Sequence, residues 1–410
     1  MNAQKKFWAK LGREGYTILV PDMLPIQFHL LTRVVEHYGS GYRLKVISPR
    51  GRGPKDAGLS VVHNDSCYPV VITCGAFVDE LRSGKYDLDR TAVIITQTGG
   101  GCRASNYLSL FKKAFAKEFP QVPVLSFNLS GFEKERSVPL SLKLAIPMLV
   151  SVCYGDMLMN LVLQSRPYYP REEVDAALDD CLAFLNAKIG KRSFLSRKKN
   201  YAYLVSRFAR LAPPEKRKPL VGIVGEIYVK YSPYANNFIT DYLIGEGCEV
   251  VYPSLLEFLQ YYIFNRLEDH RRYGKDRFTF WAWRLGYRYA LRIATEAREA
   301  LKGTSFRPYE DFEKIVEAGK EVISVGVKMG EGWLIPAEMV EFTRGEVKNV
   351  VVVQPFGCLP NHIVGKGMIR PVKTLCPDAN IIPIDFDASS TSVNQENRLK
   401  LMLSNLPERQ

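Results

Sequence analysis

No two cysteines in this chain stand in a CxxC spacing, so a ferredoxin-type ligand run is excluded. No zinc-finger or RNP signature is present, nor a nucleotide-binding motif, nor a CoA-recognition signature. No internal repeat recurs at a solenoid period. The opening residues, Met1-Asn2-Ala3-Gln4-Lys5-Lys6, carry charge but no apolar h-region follows. No secretory leader is therefore expected, and a reducing, cytoplasmic setting is. The most membrane-like stretch, residues 144–163, contains Pro147, Asp156 and Asn160. Its uncharged part is short of the roughly 20 residues a spanning helix needs, so it reads as a buried core helix with no membrane role.

What is present is a chain of 410 residues with 46% apolar content, enough to fill the cores of about two domains. Short apolar runs alternate with helical patterns, which predicts βαβ units and parallel sheets. The fold class read from this is α/β, with two α/β domains of parallel sheets joined by a helical region. The expected division is 1–135, 136–215 and 216–410. Net charge is +13, which favours an anionic partner. The densest basic run, residues 188–199, has no nucleic-acid signature beside it and reads as a solvated face.

Strands are expected at 16–22, 43–48, 91–96, 122–127, 220–224, 248–253, 350–353 and 380–385. Helices are expected at 25–38, 69–81, 103–118, across most of 137–210, at 254–268 and 276–302, and after His362. Residues 49–59 read as a polar, glycine-rich loop. The aromatic helix near 278–289, with Trp281 and Trp283, is a candidate interface for a homodimer or paired subunit.

Eight cysteines occur. Cys67, Cys102 and Cys358 share one context: a strand or turn, the cysteine, then a helix. Helix starts offer free N–H groups and favour anions, so these positions suit thiolates. Thin backbone around Cys102 (Gly99, Gly100, Gly101) and beside Cys358 (Gly357) leaves room for a bulky inorganic group. Cys67, Cys102 and Cys358 are therefore the candidate metal ligands, and Gly99, Gly100, Gly101 and Gly357 the candidate cofactor cradle. Cys74 and Cys153 are the nearest candidates for additional ligands, though small buried cysteines are common. His362 is a candidate acid/base group or hydrogen-bond donor, and a helix-capping role is the alternative. Glu226, Glu331 and Glu338 lie beside glycine turns and are expected to bind or cap, and Glu226 is with His362 a candidate catalytic residue.

Four stretches carry a resemblance: Asn64-Asp65-Ser66-Cys67-Tyr68-Pro69, then Ile95-Thr96-Gln97-Thr98-Gly99-Gly100-Gly101-Cys102-Arg103-Ala104-Ser105-Asn106-Tyr107, then Gly222-Ile223-Val224-Gly225-Glu226-Ile227-Tyr228, and Gln354-Pro355-Phe356-Gly357-Cys358-Leu359-Pro360-Asn361-His362. Together they resemble the 2-hydroxyacyl-CoA dehydratase superfamily, nearest its activase-related branch, with the double-cubane cluster proteins as relatives. The resemblance implies two α/β domains with an iron–sulfur cluster between them, either [4Fe–4S] or double-cubane, held by Cys67, Cys102 and Cys358. It implies a separate ATP-dependent activase carrying its own [4Fe–4S] cluster, which delivers a low-potential electron. In dehydratase relatives that electron forms a ketyl radical and permits loss of water from a 2-hydroxyacyl-CoA; in double-cubane relatives it reduces small molecules. A cluster-bearing electron-transfer or scaffold subunit without turnover is a further reading.

Overall fold

Two parallel four-stranded sheets form the frame. They are described here from a computed structural model that covers residues 3–39, 41–63, 65–97, 101–128, 137–275 and 277–405. The first sheet contains β1 (Thr17–Pro21), β2 (Arg43–Ile47), β3 (Thr91–Gln97) and β4 (Val124–Asn128) in the order β2-β1-β3-β4. The second contains β5 (Leu220–Gly225), β6 (Glu249–Val251), β7 (Asn349–Pro355) and β8 (Asn380–Phe386) in the order β6-β5-β7-β8. All pairings are parallel. The central strands read as near-continuous apolar runs because helices cover both faces. Ala92 to Ile95 in β3, all of β5 and Val350 to Val353 in β7 are buried. The edge strand β2 alternates, with Arg43 and Lys45 facing solvent.

The two sheets therefore have the same winding. In each, the chain leaves the first strand toward one edge and then crosses to the third strand on the other side. That reversal opens a crevice at the carboxyl ends of the first and third strands, where open α/β sheets bind ligands. For the first sheet the crevice lies after β1 and β3. For the second it lies after β5 and β7.

Helices Leu142–Ser165, Arg171–Asn186 and Arg197–Phe208 lie between the two sheet-forming stretches. The first is, among the described residues, long and apolar enough to cross a membrane by length and composition, but most of it is buried in the core. Asp156 in its middle accepts hydrogen bonds from Gln27 Nε2 at 2.8 Å, Leu255 N at 3.1 Å and Leu256 N at 2.9 Å. One buried carboxyl thus ties a helix of each sheet-forming stretch to the connector. A hydrophobic core runs continuously through both units.

The expected loop at 49–59 is instead largely a helix, Gly53–Val61, with Pro54 in its first turn. Its glycines serve packing. A Cβ at Gly58 would overlap the Val71 carbonyl oxygen, and one at Gly75 would overlap the Pro54 carbonyl oxygen. The helices Gly53–Val61 and Tyr68–Arg82 approach that closely. Helices Ile227–Tyr231, Phe312–Val322 and Leu334–Arg344 were also not expected. On the aromatic helix Phe280–Leu301, Trp281 and Leu285 are exposed, as is Phe278 just before it. Trp283 instead packs edge-on against Tyr262 and faces Arg266.

Replacing Gly75 with Ala should destabilise the chain by about 1–3 kcal/mol, the usual cost of overpacking. Urea unfolding measures it, and an unchanged midpoint would show that the two helices separate without penalty.

Candidate functional site

Each of the three singled-out cysteines caps a helical turn. Cys67 precedes Tyr68–Arg82, Cys102 precedes Arg103–Asn106, and Cys358 precedes Leu359–Val364. Cys102 follows β3 and Cys358 follows β7, so these two stand at the crevices of the two sheets. The three thiols and Glu226 lie close enough that the charges of Cys102, Cys358 and Glu226 all act on Cys67. Arg103 Nη1 donates to the Asp65 carbonyl at 2.8 Å and fastens the Cys102 turn to the Cys67 loop.

Each sulfur has a donor. Ala104 N lies 3.3 Å from Cys102 Sγ, and Asn361 Nδ2 lies 3.1 Å from Cys358 Sγ. The Tyr107 hydroxyl donates to Cys67. These bonds favour the thiolate, as the helix-start argument expects. Burial outweighs them. It pushes the Cys67 thiol up to about 12, Cys358 up to about 11, and Cys102 upward as well. The chain by itself therefore holds thiols, not thiolates, and the expectation that Cys102 is intrinsically thiolate-stabilising is corrected.

Two carboxyls close the site. Glu226 leaves β5 through Gly225, whose φ is +129° and whose Cβ, if present, would overlap the Val353 carbonyl. Only glycine allows β5 to run that close to β7 and turn. Glu226 Oε2 then accepts from Val229 N at 2.8 Å. Glu331 Oε1 accepts from Ile227 N at 3.0 Å, and its Oε2 lies 3.5 Å from Asn361 Nδ2. Asn361 thereby bridges Cys358 and Glu331, and its own Oδ1 is buried with no partner among the described residues. Burial, with the neighbouring Glu331 charge second, pushes Glu226 up to about 8, and burial raises Glu331 as well.

His362 stands inside Leu359–Val364 rather than before a helix. Its Nδ1 is 2.9 Å from the Cys358 carbonyl and 3.5 Å from Gln354 Nε2, and its Nε2 is 3.9 Å from Asp385 Oδ1. Its hydrogen-bond contacts therefore lie within the Cys358 turn and toward Gln354 of β7. Gly357, at φ +68°, supplies the left-handed turn after β7. A Cβ on Gly101 would meet the Met329 side chain. Gly99 and Gly100 lie outside the described residues, as does Asn64. Glu338 is not in a glycine turn; it sits on Leu334–Arg344 and pairs with Lys230, Nζ to Oε1 3.0 Å. Cys74 and Cys153 are buried in the core, where Glu118 acts on the first and Asp156 and Tyr201 on the second. Neither figures among the groups acting on the three site thiols.

Sequence reasoning missed Asp22, Tyr107, Asn361 and Lys230. Asp22 follows β1 as Glu226 follows β5; Ser48 Oγ donates to its Oδ2 at 2.9 Å, and its Oδ1 is buried without a partner among the described residues. The signal available was its place just after the first strand. Beside the site opens a cleft of about 970 Å³, lined in part by His63, Asp65, Arg103, Phe356 and Asp387. Among the described residues, no three His, Cys, Asp or Glu side chains stand close enough to hold a single metal ion. Comparison with family models, curated proteins and solved structures gives no match.

The raised Glu226 carboxyl sets a pH dependence. The folded chain keeps a proton that the unfolded chain releases near its ordinary value, so stability falls as pH rises through that interval. Glu226→Gln has no such proton to lose and can still accept from Val229 N. In metal-free protein, the variant should gain on the native chain by about 3–4 kcal/mol between about pH 5 and about pH 8. Thermal melts across that range test it; a constant difference would mean Glu226 is ionised in the fold.

Proposed function

We propose that this chain is an iron–sulfur enzyme or enzyme component of the 2-hydroxyacyl-CoA dehydratase type. In this reading Cys67, Cys102 and Cys358 hold one cluster, and electrons come from a separate ATP-dependent activase. The observation that carries it is the convergence of three thiols, far apart in sequence, at the crevices of two like-wound sheets. The donor set suits such a group. Three thiols near enough to act on one another are the donor type an iron–sulfur cluster takes. A bound cationic centre would also reverse the burial penalty on the thiols, since a coordinating thiol is deprotonated outright. When bound, the cluster would supply one-electron chemistry at the cleft.

The chain's own residues have definite parts in this reading. Ala104 N, Asn361 and Tyr107 donate to the sulfurs and orient them. Glu226 and Glu331, held in one buried pair, keep a proton beside the reacting centre and can protonate a leaving hydroxyl or take a proton back. The cleft lined by Arg103 and His63 receives the substrate; an acyl-CoA is the proposed class. Phe356, Leu359, Ile363 and Met329 are exposed around the Cys358 and Gly101 turns and suit the docking of the activase. The eight cysteines are all unpaired, which agrees with a cytoplasmic, reducing setting. The deep burial of Cys74 and Cys153 favours a single cluster over a double cubane.

Iron and acid-labile sulfide, measured on protein purified without oxygen, test the reading. About four irons per chain are expected. Cys102→Ser should lose most of that iron, while Cys74→Ser and Cys153→Ser keep it. Full iron in the Cys102 variant, or no iron in the native chain, would overturn the assignment; about twice the expected iron would favour the double-cubane reductase.

A further inference from the structure

Behind the cysteine site lies a second polar cluster that nothing in the reaction above uses. Lys230 is buried one helical turn after Glu226. Its Nζ lies 3.0 Å from Glu338 Oε1 and 3.5 Å from Glu338 Oε2. On its other side Glu338 is hydrogen-bonded to Glu257. Two carboxyls bond to one another only when a proton sits between them. The triad therefore contains one ammonium, one carboxylate and one carboxylic acid, and is neutral overall.

Glu257 is 6% exposed, and its Oε1 has no hydrogen-bond partner among the described residues. Glu257 lines a cavity of about 30 Å³. That volume admits a water or two. The walls include Asp156, Asn160, Ser254, Arg298 and Tyr309. Every element around Glu257 presents ionisable groups to it. Helix Ile227–Tyr231 contributes Lys230 and Tyr231, helix Leu334–Arg344 contributes Glu338 and Glu341, and helix Leu142–Ser165 contributes Asp156. Arg298, Tyr309 and Glu310 complete the cavity.

We propose that Glu257, Glu338 and Lys230 form an internal proton store, loaded from this cavity, whose uptake of one proton offsets an electron placed at the cysteine site. The purpose of the store rests on the proposed function; its existence does not. The Glu257 O–H bond breaks as its proton passes to the Glu338 carboxylate. A proton carried by water in the cavity then bonds to the emptied Glu257. The triad moves from neutral to one positive charge, while the electron comes from the low-potential donor. That charge is felt at the site, because Lys230 acts on Glu226 and Glu331, and Glu331 acts on Glu338. Glu257 is thus a positioning residue for charge, not a group that touches substrate.

Two measurements on full-length protein test this, with Glu257→Gln as the variant and Glu257→Asp as the conservative control. The first is the infrared carboxylic-acid C=O band near neutral pH, read with or without metal. Glu257→Gln should remove one carboxyl's share of that band and Glu257→Asp should keep it; an unchanged band in the Gln variant overturns the store. The second is the cluster's midpoint potential against pH, poised with dithionite. The native chain should shift its reduction equilibrium up to tenfold per pH unit, which is about 59 mV for a one-electron couple. The Gln variant should flatten that slope. A pH-independent potential in iron-loaded native protein overturns the coupling. Protein that binds no iron defeats the functional reading alone, and the infrared comparison then decides the store.

Discussion

The interior of this molecule cannot carry all the negative charge its side chains could supply. Cys67, Cys102, Cys358, Glu226, Glu331, Glu338 and Glu257 share one region with one buried lysine among the described residues, Lys230. An unpaired buried ion costs several kcal/mol even after relaxation. The whole margin of a folded domain is about 5–15 kcal/mol. Charging more than one or two of these groups without compensation would exceed it. Their protons must therefore stay on, or a positive centre must replace them. The raised thiols and carboxyls are one expression of that constraint. The bond between Glu257 and Glu338 and the ion pair between Glu338 and Lys230 are others.

The topology explains why the groups collect where they do. Both sheets follow the same order, so each opens its crevice after its first and third strands. Asp22 and Glu226 leave the first strands; Cys102 and Cys358 leave the third strands. Two units wound alike thus place one acid and one cysteine each at comparable positions. The third cysteine, Cys67, comes from the helix Tyr68–Arg82, whose start is brought in by the close glycine packing at Gly58 and Gly75. The Tyr68 hydroxyl donates to the Ala235 carbonyl at 2.9 Å, and Tyr234 to the Gly51 carbonyl at 2.9 Å, so the two units are bonded beside the site.

Much of this was legible in the sequence, for local reasons. Most of the strands are short β-branched or apolar runs, and the three cysteines were marked by the turns in front of them. What was not legible depended on distant partners. Gly53 and Gly58 read as loop residues, because nothing local says that another helix will press against them. Glu338 reads as a turn residue until Lys230, more than a hundred positions earlier, is brought against it. Asn361 was quoted only as part of a motif, and its bridge between Cys358 and Glu331 needs a segment 30 residues away. Thiolate character at Cys102 was argued from the helix start alone. The sign reversed because desolvation is set by the whole fold, not by the first turn.

The exposed apolar collar connects the surface to the buried charge. Phe356, Leu359, Ile363 and Met329 remain in contact with water around the mouth of the site. A partner covering them would remove water from the cysteines and lower the local dielectric, which strengthens every unbalanced charge beneath. An electron delivered under such a cover has no solvent nearby to respond to it. Compensation must then come from within the fold, on the side away from the partner. The Lys230 cluster and its cavity lie behind Glu226 and Glu331, on helices that are not part of the collar. In the proposed reading, an electron arriving at the front and a proton taken up at the back would not compete for the same surface.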